Sequence, residues 1–174
     1  LYGEIGVGKT TISRKLIQNF KNESDDFTFH LILDPKFESE IILLKHIIEL
    51  FGINESADSV QDCRNIIENY LLRVGLEQGK TLVLIVDEGQ NLPGDMLDVF
   101  RTLLNFETDE FKLLQLIIFG QPEMSRIIKD YPNFEDRIIF NFDLGPISLE
   151  DTKGMIHHRI QVTGGEKKNW FTDE

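Results

Sequence analysis

Two stretches combine residue types and spacings that can handle phosphate. The first is Gly3-Glu4-Ile5-Gly6-Val7-Gly8-Lys9-Thr10, followed by Thr11. It fits the pattern G-x-x-x-x-G-K-[ST], the Walker A phosphate loop. Gly3, Gly6 and Gly8 lack a Cβ, so the backbone can turn left-handed and come close to an anion. The amide N–H groups then form an anion nest at a helix N-terminus. Lys9 is expected to reach the β- and γ-phosphates of ATP, and the Thr10 hydroxyl to ligate Mg²⁺. The second stretch is Thr81-Leu82-Val83-Leu84-Ile85-Val86-Asp87-Glu88, an apolar run that ends in two carboxylates. Asp87 is expected to hold Mg²⁺, directly or through water. Glu88 is expected to align and deprotonate the attacking water as a general base.

These groups must be held by a particular kind of scaffold. An unbroken apolar run reads as a strand buried on both faces of a parallel sheet. Ligands of open α/β sheets gather at the carboxyl ends of such strands. Phe27–Leu33 and Leu113–Gly120 read as two further strands, and the latter runs into Gln121-Pro122. Ile41, Leu44, Ile48 and Phe51 share one helical face that stops at Gly52. Ser59-Val60-Gln61-Asp62 reads as a helix start whose buried stripe is Val60, Cys63, Ile67, Tyr70 and Val74. Pro93-Gly94 opens another helix, and Met124–Lys129 forms a short one. Ile138, Phe140, Phe142 and Leu144 alternate with Ile139, Asn141 and Asp143, which predicts an edge strand over 138–144. Ser148 caps a last helix running to about Val162. Alternating helices and strands predict an α/β fold with a parallel sheet flanked by helices.

Length and charge limit the alternatives. With 174 residues, one good core is the simplest organisation. The net charge of −12 argues against non-specific DNA binding, which draws on Lys and Arg. The single cysteine, Cys63, cannot form an intrachain disulfide and reads as a small apolar helix residue. His30, His46, His157 and His158 lack metal-ligand spacing. The absence of N-K-x-D argues against a GTPase, and that of L-S-G-G-Q against a transporter ATPase. The chain opens inside its phosphate loop without a starting Met, so it is expected to be a fragment of a longer protein.

The order of motifs resembles an AAA+ ATPase of the P-loop NTPase class. Val86-Asp87-Glu88-Gly89-Gln90-Asn91-Leu92 is similar to the V/I-D-E-A-Q-N-L block of the general secretion pathway protein A (ExeA-like) family. FRTLLNFETDEFKLLQLIIFGQP, residues 100–122, resembles further blocks of that family. Arg137-Ile138, Leu144–Ser148 and His158-Arg159-Ile160 follow in family order. Gly89 stands where Ala is usual, an exchange expected to be harmless.

The resemblance implies Mg²⁺-dependent ATP hydrolysis at subunit interfaces of a homo-oligomer, in service of bacterial secretion-system assembly. It also implies a cytoplasmic domain associated with the inner membrane, with secretion-system membrane proteins as partners. Gln121 takes the sensor-1 place, the alternative being a Gln that caps a strand end. Arg137 takes the place of an arginine finger, the alternative being a surface Arg paired with Glu135 or Asp136; Arg101 and Arg126 are other candidates for the finger. The expected organisation is a core over 1–163, short of most of its first strand. Residues 164–174 would begin a helical lid, and the sensor-2 Arg would lie beyond Glu174. The rival reading is a DNA-linked AAA+ ATPase of the transposon target-selection type.

Overall fold

The centre of the molecule is β2 (Thr81–Val86), whose last five residues are all buried. β1 (Phe27–Ile32) and β3 (Leu114–Ile118) pair with it in parallel on either side. This is a computed structural model, and it describes residues 1–23, 25–108 and 112–164. Inter-residue contacts divide the chain into two units, 1–144 and 145–174.

Alternate residues of β2 feed two different cores. Leu82, Leu84 and Val86 pack with Leu43, Ile47, Ile67 and Phe100. These come from α2 (Glu40–Leu50), α3 (Val60–Leu72) and α4 (Met96–Leu103). Val83 and Ile85 face a smaller cluster with Phe119, Ile12 and Leu16, the last two from α1 (Lys9–Glu23). Full burial of such a side chain is worth about 1.5–3 kcal/mol, so the helix-rich face anchors the sheet.

Local chemistry sets the boundaries. Ser59 accepts from the Asp62 amide while the Asp62 carboxylate accepts from the Ser59 amide, a complete capping box. Gly52 follows α2 at φ +71°, where a side chain would be strained. α3 runs on into a π-turn at Arg73–Glu77. After β3 come the short helices α5 (Glu123–Lys129) and α6 (Pro132–Glu135). In the second unit, α7 (Leu149–Val162) starts at Ser148, whose hydroxyl accepts from the Asp151 amide. The expected lid start at 164–174 lies, but for Gly164, outside the described residues.

The edge strand expected over 138–144 does not form. Only its end pairs. Tyr2 bridges Gly120 on one side and Asp143 on the other, both in parallel. The Tyr2 amide donates to the Phe142 carbonyl at 2.9 Å, and the Leu144 amide to the Tyr2 carbonyl at 2.7 Å. Residues 138–141 have no neighbouring strand among the described residues, and alternation without a partner does not make a ladder. Ile139 and Phe140 stand exposed as a result.

Candidate functional site: a polar ridge at the carboxyl ends of the strands

The sheet delivers three chain segments to one edge. Gly3 leaves the Tyr2 bridge beside Gly120, Asp87 leaves β2, and Gln121 follows β3. The three glycines of the first loop serve two purposes. Gly6 and Gly8 sit at φ +85° and +101° with open space around them, so the left-handed backbone itself calls for glycine. Gly3 is not left-handed. A Cβ there would lie 2.4 Å from the Leu144 carbonyl oxygen, so its need is close backbone approach.

Lys9 opens α1 and is buried. Its Nζ donates to the Gly3 carbonyl at 2.6 Å and the Glu4 carbonyl at 2.9 Å. The ammonium is thereby fixed inside the curl of its own loop. Thr10 Oγ1 donates to Asp87 Oδ2 at 2.8 Å, joining the two motifs across 77 residues. Asp87 is 2% exposed, and its Oδ1 accepts from the Glu88 amide at 3.0 Å. A hydroxyl and a carboxylate so close together are the hard oxygen donors that Mg²⁺ takes. Left-handed glycines ahead of a helix N-terminus suit a phosphate. The residues present therefore fit a magnesium nucleotide.

Glu88 takes φ +54°, a conformation that costs a non-glycine residue about 1 kcal/mol or more and clusters at functional sites. It is half-buried, and Gln90 Nε2 donates to its Oε2 at 2.6 Å. Gln90 Oε1 in turn accepts from the Gln121 amide at 2.9 Å. Asn91 Nδ2 donates to Asp34 Oδ1 at 2.7 Å, linking the same turn to the end of β1. Asp34 is also left-handed, at φ +51°. A hydrogen bond from Lys36 holds its carboxyl below the usual range, and the Asn91 contact adds to the effect.

Gly89 is not a neutral exchange in this setting. Its amide donates to the Phe119 carbonyl at 2.7 Å, and a Cβ would meet Ile118 Cγ2 at 2.4 Å. The small residue lets the turn close onto β3.

Hydrogen bonds thus tie Thr10 to Asp87, and Glu88 through Gln90 to the Gln121 amide, while Glu4, Ile5 and Val7 lie in the loop before Lys9 and Thr11 in the first turn of α1. Arg137 stands apart. It is exposed and shares a surface cavity of about 410 Å³ with Arg101, Asn133 and Asp136. No ion pair joins it to Glu135 or Asp136 among the described residues, whereas Arg101 is held by Asp98 at 2.8 Å. Arg126 is exposed on α5. Cys63 is buried in α3, where burial pushes its thiol pKa up, in keeping with a core role.

The sequence model of a family described as "AAA domain" matches residues 1–128. The chain belongs to this family. This AAA domain is also 36% identical over 167 residues to the general secretion pathway protein A of Aeromonas hydrophila. The match covers 94% of this chain and 30% of that protein, so the chain spans less than a third of its relative. Among solved structures it is similar to Cdc6p of Pyrobaculum aerophilum, with TM-score 0.70 and 19% identity over 92% of this chain and 42% of that one. The ADP form of the Aeropyrum pernix ORC2 protein gives 0.68 and 16%, over 92% and 45%. At those identities the likeness is one of fold: an AAA+ parallel sheet flanked by helices.

Proposed function

We propose that this AAA domain binds ATP with Mg²⁺ and hydrolyses it, and that hydrolysis is coupled to assembly of an oligomer. The observation that carries the reading is the 2.8 Å hydrogen bond between Thr10 and Asp87, which joins the phosphate loop to the acidic strand end. The amides of residues 3–11 and the Lys9 ammonium hold the phosphates. Thr10 and Asp87 hold Mg²⁺, which when bound neutralises phosphate charge. Glu88 accepts the proton of the attacking water. Gln121, at the end of the neighbouring strand, orients that water or the terminal phosphate.

Arg137 acts in trans, on a site in the adjacent subunit. Its exposure and its lack of a local carboxylate partner among the described residues support that role. The name of the Aeromonas hydrophila relative supports a role in a general secretion pathway, and the role proposed within it is assembly of a bacterial secretion system at the inner membrane. The net charge of −12 weighs against the DNA-linked alternative. Release of phosphate from ATP by the full-length protein tests the reading. Turnover that stops on magnesium chelation is the expected result; ATP binding with no turnover in any assembly state would contradict it.

A further inference from the structure

We infer that Gln90 is a positioning residue for hydrolysis: it fixes the Glu88 carboxylate and ties it to the strand end that carries Gln121. The inference rests on the reading of Glu88 as the general base.

The chemistry of the two contacts leaves one orientation for the Gln90 amide. A backbone N–H can only donate, so the atom facing Gln121 must be the carbonyl oxygen. A carboxylate can only accept, so the atom facing Glu88 must be the amide nitrogen. The first contact has the ordinary length of 2.9 Å and the second is short, at 2.6 Å. The second is a charge-assisted hydrogen bond, the stronger kind. It engages Oε2 of Glu88, and the other oxygen is the one left to meet a water.

The backbone gives a reason for such a restraint. Glu88 sits in a left-handed conformation, two residues past the last residue of β2 and directly before the 3-10 turn Gly89–Asn91. A carboxylate on a strained hinge needs a fixed partner if it is to stay aimed. The turn is also held at its other points. Gly89 closes on Phe119, and Asn91 reaches Asp34. The Glu88 side chain is therefore referenced to the ends of all three strands, and Gln90 is the link that touches the carboxylate itself. Movement at Gln121 would pass to Glu88 through one amide group.

The test compares four variants of the full-length protein: Gln90→Leu, Gln90→Glu, Glu88→Gln and the double variant Glu88→Gln/Gln90→Leu. Steady-state hydrolysis and ATP affinity are measured for each, with thermal melting as the check on folding. Gln90→Leu should lower kcat by about 10- to 100-fold and leave ATP affinity within about twofold, since misplacing a reacting group by an ångström costs on this scale. Gln90→Glu keeps the acceptor for the Gln121 amide but sets a second carboxylate against Glu88. It should be as slow as Gln90→Leu, whereas a merely structural brace would be preserved. Should Gln90→Leu fail to fold, Gln90→Glu carries the test alone. In the Glu88→Gln background, removing Gln90 should have no further effect on the residual rate, because groups acting as a unit are not additive.

A kcat at or above the parent value in Gln90→Leu or Gln90→Glu would overturn the inference. So would a loss in the double variant that multiplies the two single losses. Glu88→Gln hydrolysing at the parent rate would instead sink the reading of Glu88 as the base, and is distinguishable on that ground.

Discussion

The carboxyl-end ridge and the Arg101–Arg137 surface are both charged, yet they are built in opposite ways. On the ridge three charged groups are committed inside the chain: Lys9 to two loop carbonyls, Asp87 to Thr10 and the Glu88 amide, Glu88 to Gln90. On the outer surface, Arg137 is exposed and faces a cavity shared with another arginine. Burying a charge is tolerable only with partners of this kind, so the ridge is preorganised where the outer face is open. On the proposed reading, one chain would supply the cradle, the metal ligands and the base, and would offer its arginine to a neighbouring subunit.

The largest effect on this contrast should come from Lys9→Ala, which removes the buried cation from the loop. ATP binding by calorimetry should be lost; retained binding would mean that the backbone nest suffices. Next is Arg137→Ala. It should lower hydrolysis by about 10³-fold with ATP affinity unchanged, as expected of an arginine that acts on the transition state. Loss of affinity would place the residue in the cradle and erase the contrast. Glu88→Gln should lower turnover by about 10²-fold or more while ATP still binds, measured by phosphate release beside fluorescent-nucleotide binding.

Gly89→Ala sharpens the ridge side of the comparison. Its Cβ must push against Ile118, so melting should report a loss of about 1–3 kcal/mol. The smallest effect is expected from Arg101→Ala on the outer face. Its partner Asp98 is on the same helix and the pair is partly exposed, so stability should fall by no more than about 1 kcal/mol. Hydrolysis falling as far as in Arg137→Ala would move the trans-acting role to Arg101.

The ridge was legible in the sequence because its parts are local. A glycine spacing followed by Lys-Thr, and an apolar run ending in Asp-Glu, each encode a complete piece of geometry within eight residues. The parallel sheet followed from the same apolar runs, and the Ser59 capping box from a four-residue pattern. Legibility ended where the outcome depended on a neighbour in space. Residues 138–144 alternate as a strand should, but among the described residues Tyr2 alone bridges to them. Gly89 reads as harmless until Ile118 is seen against it. Gln90 and Asn91 were visible only as letters of a family resemblance. Their partners Gln121 and Asp34 lie 31 and 57 positions away, and no local spacing announces such contacts.

Mixing subunits tests whether the ridge of one subunit uses an arginine from another. Arg137→Ala and Lys9→Ala subunits of the full-length protein are each assayed alone and then combined, and Mg²⁺-dependent phosphate release per subunit is followed as total concentration rises. The account predicts that each alone is nearly inactive. The mixture should regain turnover that grows with concentration, because an intact Arg137 then meets an intact Lys9 site. A mixture as inactive as its components, beside a parent whose turnover per subunit is independent of concentration, would contradict it.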